Sequence, residues 1–442
     1  MFRNSIEALI LRILGVAIWL AVTILFARVL PQDEVGALFY LINIAILGGT
    51  IATLGYDVAV LRYGSAMWAI KDKLELTRIF GGGISMTGIA GSILAVALIG
   101  VMLWGHETPV TSTPNLIALT VIAVTLSAML GISRDLLRAV GKLRIALFGE
   151  TIVRTSGFAC FAALLMLFGI QSATLLFGGY ILALLLANAV QYRAVYSTIG
   201  AARPFLPQSE HVKTALGAWI GRSSGILMMR LPGIIVGIKG GLSEAALFFA
   251  VDRVAQMTNL LVTAVRTATG PDLARASEEE LPEDVARASA LMFLAGLLGG
   301  AGVLALGGIV LLALGGTYFS AFPALLFLLV GNLAVSVMGP CPLILYMRGR
   351  ERVGAFVESA SMITMGCLMI FVLPAASALE VSQIFAVAMW GMYIGAWIAT
   401  RVFLGVTAGV FSIRSRHLHE MARALMQMWG KLKSKFYPKG NK

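Results

Sequence analysis

The sequence is 442 residues long, 59% of them hydrophobic and only 13% charged, with a formal net charge of +12. A soluble domain is about 45–50% apolar and about 25% charged, so this composition excludes an ordinary soluble protein and indicates a polytopic membrane protein. The 48 glycines agree with that class, because small residues let membrane helices approach one another closely.

Apolar runs of spanning length recur along the whole chain. A helix needs roughly 20 mostly apolar residues to cross about 30 Å of hydrocarbon, and each span must be helical because unpaired backbone groups cannot face lipid. The first run shows no clear small-residue cleavage site, so we expect a retained helix and not a signal peptide. We predict an all-α fold of about twelve transmembrane helices, at residues 7–28, 35–61, 79–104, 115–133, 145–168, 172–192, 214–238, 243–265, 288–314, 320–346, 353–374 and 381–406.

The connections between the predicted spans alternate in charge. Those after even-numbered spans carry Lys and Arg, as Arg134, Arg138 and Arg144 do after the fourth span, whereas those after odd-numbered spans carry almost none, with Lys239 as the exception. Because basic loops stay on the cytoplasmic side of a membrane, we predict that both termini are cytoplasmic. The net positive charge then reflects this bias, and we expect no nucleic-acid binding.

A short internal repeat divides the spans into two groups of six. GALFY matches AALFF when Gly36 is aligned with Ala245, at a separation of 209 residues, and Arg12 and Arg222 precede the two copies at corresponding depths. Parallel repeats of this kind enclose a central substrate site in secondary transporters. We therefore predict a six-helix lobe at 1–192, a cytoplasmic connection at 193–213, a second six-helix lobe at 214–408 and a basic amphipathic tail on the membrane surface at 409–442.

The segment after the first span carries a recognisable pattern. Its pieces are Leu30-Pro31, Glu34 to Phe39, Thr53-Leu54-Gly55-Tyr56-Asp57 and Leu61-Arg62-Tyr63. This stretch of about forty residues resembles the N-terminal signature of the polysaccharide transport branch, which includes the O-antigen and exopolysaccharide flippases, of the multidrug/oligosaccharidyl-lipid/polysaccharide exporter (MOP) superfamily. The MOP superfamily has the fold of the MATE transporters. The dipeptide Leu30-Pro31 lacks the glycine that is usual at this point of the signature.

The resemblance implies a flippase and not an enzyme. Members of this branch move an undecaprenyl-diphosphate-linked oligosaccharide across the bacterial inner membrane for surface polysaccharide synthesis, by alternating access of two lobes. The expected partners are that lipid-linked glycan and membrane lipids, with the polysaccharide polymerase and chain-length machinery as further candidates. We expect a monomer without a cofactor or metal, and coupling to a proton or sodium gradient stays an open alternative. The sequence contains no Walker-type nucleotide loop.

Charged residues inside the spans are the candidate site residues, because each is costly to insert into a membrane. Arg230 lies within an apolar run and is followed by Pro232 and Gly233, which we predict to form a hinge. Arg222 is eight residues before Arg230, so the two side chains lie about 80° apart around one helix and can face one cavity. Arginine makes bidentate hydrogen bonds to phosphate. We predict a diphosphate-binding cavity lined by Arg12, Arg154, Arg222, Arg230 and Arg253.

Acidic residues inside the spans are the candidates for ion coupling or gating: Asp57, Glu150, Asp252 and Glu358. Glu150 and Arg154 are four residues apart and share a helix face, so a self-neutralising structural pair is an alternative to a gate. A simple ion pair with Asp252 is likewise the alternative to a phosphate site at Arg230. The alternative function is a multidrug, cation-coupled small-molecule antiporter of the same superfamily, for which acidic and aromatic cavity residues would be expected.

Overall fold

The protein is all-helical over the residues that the computed structural model describes, 2–103, 114–201 and 205–414. The predicted tail therefore falls outside the described residues from position 415 onward. Short π-helical turns occur at Phe148–Val153, Val236–Gly240 and Leu368–Val372. The helices are α1 (Phe2–Val29), α2 (Gln32–Ala52), α3 (Tyr56–Ala69), α4 (Lys73–Leu103), α5 (Pro114–Ala139), α6 (Leu143–Leu147), α7 (Arg154–Leu167), α8 (Ala173–Ile199), α9 (Ser209–Ile235), α10 (Leu242–Ala255), α11 (Thr258–Arg275), α12 (Leu281–Leu314), α13 (Gly316–Phe319), α14 (Phe322–Met338), α15 (Cys341–Met347), α16 (Glu351–Cys367) and α17 (Ala378–Leu404).

Each predicted span overlaps a helix of this structure. Within the described ranges, eight helices are long and apolar enough to cross a membrane, or up to ten if each of two bent pairs is one span. The bent pairs are α10 with α11, at 47°, and α14 with α15, at 49°. The two other predicted spans coincide with α1, whose apolar part is the shorter Ile13–Val29, and with the charged helix α9. The prediction of an all-α, multi-pass membrane protein is confirmed.

The second predicted span, 35–61, is not one continuous helix. The chain breaks between α2 and α3, where Leu54 and Gly55 have positive φ values of 49° and 75°. Two residues in the left-handed region stop a right-handed helix, and glycine adopts that region without a steric penalty. A Cβ at Gly55 would also overlap the carbonyl oxygen of Ala215 on α9, so the break lies where α9 packs closely.

Contacts between Cα atoms divide the chain into two units. The described residues of unit 1 fall within Met1–Arg253, Gly308–Leu325 and Glu358–Ile384, and those of unit 2 within Val254–Gly307, Leu326–Val357 and Phe385–Lys442. In unit 1, α2 packs against α5, α8 and α9, and α5 also packs against α3 and α4. The predicted lobes at 1–192 and 214–408 stay a prediction.

Each unit has its own buried apolar cluster. In unit 1 the cluster joins α3, α4 and α5 and includes Tyr56, Leu76, Phe80, Ile132 and Leu136. In unit 2 it includes Leu273, Val285, Cys341, Ile344 and Leu345.

Helices α2 and α10, both in unit 1, contact each other through corresponding residues of the internal repeat. The pairs are Asp33 with Ser243, joined by a hydrogen bond, and Phe39 with Phe249, whose ring centroids are 6.4 Å apart. Gly36 lies against the Leu242 carbonyl oxygen, which a Cβ at this position would overlap. Residues near a two-fold axis contact their own counterparts. Each pair is 210 residues apart, so the contacts shift the sequence alignment, which used 209, by one residue.

A separation of 210 residues also relates two capping carboxylates, whereas the N–H groups that they cap are 205 residues apart. The carboxylate of Glu34 accepts a hydrogen bond of 2.5 Å from the backbone N–H of Ala173, at the start of α8. The carboxylate of Glu244 accepts one of 2.8 Å from the backbone N–H of Ala378, at the start of α17. The first N–H groups of a helix have no intrahelical partner and carry a partial positive charge, which a carboxylate satisfies. Both halves of the repeat thus use one capping arrangement.

Candidate functional site

Three arginines of unit 1 lie close enough together to interact electrostatically. Arg253 on α10 interacts with Arg230 on α9, with Arg154 on α7 and with the carboxylate of Asp252. We call Arg154, Arg230 and Arg253 the inner arginine cluster. All three side chains are partly exposed. Because like charges repel strongly where water is scarce, guanidinium groups within electrostatic range of Arg253 favour the binding of an anion.

Arg230 is held in place by Asn43, a residue of α2 that is only 3% exposed. The Asn43 side-chain amide donates a hydrogen bond of 3.0 Å to the Arg230 carbonyl oxygen. The Arg230 guanidinium donates one of 3.4 Å to the Asn43 amide oxygen. The sequence interpretation missed Asn43, although a lone carboxamide within the apolar run LFYLINIAI was the available signal.

An aromatic wall, formed by Trp19, Phe39, Phe158 and Tyr180, borders the inner arginine cluster. The Arg253 Cζ atom lies 5.1 Å from the centroid of the Trp19 ring, a distance at which a cation is attracted to the ring face. The Trp19 ring packs against Phe39 and Phe158, with centroids 6.2 and 5.6 Å apart, and Phe158 packs against Tyr180 at 5.4 Å. Within the described part of the chain, the Trp19 indole nitrogen and the Tyr180 hydroxyl are buried without a hydrogen-bond partner.

Asp57 and Arg222 form an ion pair between α3 and α9. Their closest atoms, Asp57 Oδ2 and Arg222 Nη2, are 2.8 Å apart, and the Asp57 side chain is only 1% exposed. The second carboxylate oxygen of Asp57 accepts hydrogen bonds from the Val58 backbone N–H, at 2.9 Å, and from the Thr53 hydroxyl, at 3.3 Å. The break before α3 thus places the carboxylate of Asp57 directly on α9.

Glu150 lies beside a second group of charges. Arg134 on α5 contacts Glu150 Oε1 at 2.8 Å and Asp135 Oδ2 at 2.6 Å, and Arg138 contacts Asp135 Oδ1 at 2.8 Å. Arg154 also acts electrostatically on Glu150. The direct partner of Glu150 is therefore Arg134, a residue that the sequence interpretation assigned only to a cytoplasmic loop. The π-helical turn Phe148–Val153 changes the angle between Glu150 and Arg154 that a regular helix would give.

The remaining predicted site residues lie at separate places. Glu358 on α16 lies against α9, where its Oε2 atom would be 3.8 Å from a Cβ at Gly225, one helical turn after Arg222. Arg12 belongs to α1, but its side chain is outside the described part of the structure. The structure therefore brings together Arg154, Arg230, Arg253 and Asp252, and separately joins Asp57 to Arg222.

The predicted hinge residues Pro232 and Gly233 are buried inside α9. The helix continues through them to Ile235 and then changes to the π-helical turn Val236–Gly240. Proline lacks the N–H that a regular helix uses, and π-helical turns occur where the hydrogen-bond pattern of a helix is interrupted. Their role as a hinge stays a prediction.

No group of three or more His, Cys, Asp or Glu side chains suited to a metal ion is present in residues 2–103, 114–201 and 205–414. The three cysteines, Cys160, Cys341 and Cys367, are free. The candidate site of the described chain is therefore made of arginine, carboxylate, carboxamide and aromatic groups.

Comparison with known proteins places the fold. No protein-family model and no curated protein sequence matches the chain. A solved inward-facing multidrug resistance MATE family transporter of the MOP superfamily matches with a TM-score of 0.70 and 13% identity, over 91% of this chain and 98% of its own. An outward-facing structure of a multidrug resistance MATE family transporter matches with a TM-score of 0.65 and 14% identity, over 91% of this chain and 95% of its own. A MOP superfamily transporter from Pyrococcus furiosus matches with a TM-score of 0.65 and 12% identity, over 91% of this chain and 95% of its own. The protein therefore has the fold of the MATE transporters of the MOP superfamily.

Proposed function

We propose that this protein is a transporter that moves an undecaprenyl-diphosphate-linked oligosaccharide across the bacterial inner membrane by alternating access. The observation that carries the proposal is the inner arginine cluster, in which Arg253 lies within electrostatic range of Arg154, of Arg230 and of the carboxylate of Asp252. Arginine keeps its charge at all physiological pH values, and its planar group makes bidentate hydrogen bonds to phosphate. A diphosphate offers several acceptor oxygens and the negative charge that offsets the repulsion within the cluster.

The aromatic wall supports a ligand that also carries sugars. The Trp19 ring, which is partly exposed, presents apolar surface beside Arg253, and it packs against the buried ring of Phe158. The polyprenyl tail of the lipid would stay in the membrane, where no polar contacts are needed. One site can therefore serve the charged and the sugar part of one lipid-linked glycan.

A second candidate function is multidrug transport by the same fold. The aromatic wall favours it, since ring faces attract cationic and apolar drugs. The charge of the inner arginine cluster opposes it, because Arg253 already lies over the Trp19 ring. The transporter from Pyrococcus furiosus is described as having a binding pocket whose reverse polarity suggests a different function, which supports the idea that one fold serves ligands of different charge.

Deletion of the gene distinguishes the two functions. We expect the deletion strain to lose a surface polysaccharide and to accumulate its lipid-linked units in the inner leaflet, measured by mass spectrometry of extracted lipids and by lectin labelling of inverted vesicles. Expression of the wild-type gene should restore both. A strain that keeps its polysaccharide but becomes sensitive to cationic drugs would instead favour the multidrug function.

Asn43 offers a separate test of the Arg230 site. We expect Asn43→Leu to weaken binding of undecaprenyl diphosphate to the purified protein by about tenfold, because one or two hydrogen bonds that position Arg230 are worth about 1.4 kcal/mol. Asn43→Asp should weaken it further, since a carboxylate beside Arg230 competes with the phosphate for the guanidinium. Binding titrations of both proteins, with detergent and temperature held constant, provide the measurement.

Asn188 supplies the matched control. Its side-chain amide also donates to backbone carbonyls, of Leu126 at 3.0 Å and of Leu184 at 2.9 Å. We expect Asn188→Leu and Asn188→Asp to lower the melting temperature without changing the affinity for the diphosphate. Wild-type affinity in Asn43→Asp would show that Arg230 does not contact the ligand.

A further inference from the structure

A groove of about 390 Å³ lies between α1 and the start of α6. It is lined by Ile10 and Leu11 of α1, by Arg144 and Ile145 of α6, and by Phe148 at the start of the following π-helical turn. Four of these five side chains are apolar, and Arg144 carries the charge. The volume falls within the range of sites that bind small organic molecules, about 300–1,000 Å³.

The groove opens outward from the helices. Ile10, Ile145 and Phe148 are 50%, 38% and 46% exposed. Both α1 and α6 belong to predicted spans, and exposed apolar side chains on spanning helices contact the hydrocarbon chains of lipids. The apolar lining of the groove and the charge of Arg144 match the chemistry of a lipid with an anionic head group.

The sequence around Arg144 recurs in the second half of the chain. Residues 141–150 read GKLRIALFGE and residues 349–358 read GRERVGAFVE, at a separation of 208. The shared pattern is Gly, a basic residue, Arg, a branched apolar residue, Phe and Glu at the same six positions. Gly141 and Gly349 also share positive φ values of 79° and 70°. This match is longer than the one between the second and eighth spans.

The recurrence includes the groove residues themselves. Arg144 corresponds to Arg352, and Phe148 corresponds to Phe356, which is 73% exposed. Basic residues in a cytoplasmic loop are sufficient to orient a membrane protein. Topology alone does not require an exposed phenylalanine one turn after each arginine, and the combination matches a lipid with a phosphate above its hydrocarbon chain.

We propose that this groove is the docking site at which the polyprenyl-diphosphate part of the substrate binds before it reaches the inner arginine cluster. The inference rests on the proposed function. Arg144 binds the diphosphate, while Phe148, Ile145 and Ile10 contact the first part of the polyprenyl chain. Arg154 follows ten residues later, about 15 Å further along the same helical segment at 1.5 Å per residue. The inner arginine cluster is thus the next cationic site along this segment.

Photo-crosslinking from the groove tests the proposal. The purified full-length protein, with p-benzoylphenylalanine in place of Phe148, is placed in phosphatidylcholine nanodiscs with undecaprenyl diphosphate or with phosphatidylglycerol. We expect the adduct found by mass spectrometry to be undecaprenyl diphosphate. Arg144→Gln should raise the concentration of undecaprenyl diphosphate that gives half-maximal crosslinking by about tenfold. A charge-assisted hydrogen bond is worth at least about 1.4 kcal/mol, which corresponds to a tenfold change in affinity. Arg193→Gln, the same change at an exposed site on α8, should have no effect.

Three results would overturn the docking site. An adduct with phosphatidylglycerol that undecaprenyl diphosphate does not displace would make the groove an ordinary phospholipid site. Equal crosslinking in the wild type and in Arg144→Gln would show that the arginine does not bind the head group. Arg230→Ala separates this inference from the proposed function: we expect it to stop translocation while the crosslink at position 148 persists. Translocation that depends on Arg230 but not on Arg144 would refute the docking site alone.

Discussion

We expect Arg230→Ala to weaken binding of undecaprenyl diphosphate by about 10- to 100-fold, because hydrogen bonds to a charged group are worth about 1.5–3 kcal/mol. Arg230→Lys should give an intermediate affinity, since lysine keeps the charge but not the planar, bidentate geometry. The measurement is a binding titration on purified protein, accompanied by complementation of the deletion strain.

Arg62→Ala provides the matched control for that prediction, because Arg62 is an exposed arginine on α3 that lies over the Tyr63 ring at 5.8 Å. We expect it to bind like the wild type. Full restoration of surface polysaccharide by Arg230→Ala would contradict a phosphate-binding role, provided that the variant protein is produced at wild-type levels.

We expect a second large effect, on the stability of the folded protein, from the ion pair between Asp57 and Arg222. We expect Arg222→Ala to lower the free energy of unfolding by about 3–5 kcal/mol, because it leaves the carboxylate of Asp57, which is 1% exposed, buried without its cation. Asp57→Asn should cost less, since Arg222 is about one-third exposed and can contact water. The double variant Asp57→Asn/Arg222→Ala should recover part of the loss, which a double-mutant cycle of denaturation in detergent measures.

The exposed ion pair of Arg78 with Glu75, at 3.4 Å, is the control for this cycle. Pairs in contact with water contribute about 0–1 kcal/mol, so Arg78→Ala should hardly change stability. If Arg222→Ala were as stable as Arg78→Ala, then the pair with Asp57 would not hold α3 against α9.

Hydrophobicity was sufficient to predict where the helices lie. Each predicted span overlaps a helix, because a run of about 20 apolar residues has no alternative to a helix in lipid. The break between α2 and α3 could not be predicted in the same way. It depends on positive φ values at Leu54 and Gly55 and on the close packing of Ala215, a residue 160 positions further along the chain.

The sequence singled out the charged residues inside the helices but not their contacts. The insertion cost of charge pointed to Arg154, Arg230 and Arg253 individually, and the structure places Arg253 within electrostatic range of the other two. The hydrogen bonds between Asn43 and Arg230 join residues 187 positions apart, so no local sequence pattern predicts them. The pairing of Glu150 with Arg134 depends in the same way on how α5 packs beside α6.

The internal repeat shows a similar division. The five-residue match was visible in the sequence, but its register needed the contacts of Phe39 with Phe249 and of Asp33 with Ser243. A shift of one residue turns a helix position by about 100°, so it decides which side chains correspond. With the separation of 210 that the contacts indicate, Asn43 of the first half corresponds to Arg253 of the second half. The two halves therefore carry a neutral carboxamide and a charged guanidinium at corresponding positions.

A leaflet-resolved assay tests directly whether the protein translocates the lipid-linked oligosaccharide. Purified protein is reconstituted into liposomes that contain a fluorescent undecaprenyl-diphosphate-linked oligosaccharide, and a membrane-impermeant quencher reports how much of the lipid is in the outer leaflet. We predict that the wild type moves the fluorescent lipid between leaflets and that Arg230→Ala does so at the rate of protein-free liposomes. Equal rates of lipid movement for the wild type and for protein-free liposomes would contradict the proposed translocation. A rate that Arg230→Ala leaves unchanged would contradict the role of Arg230.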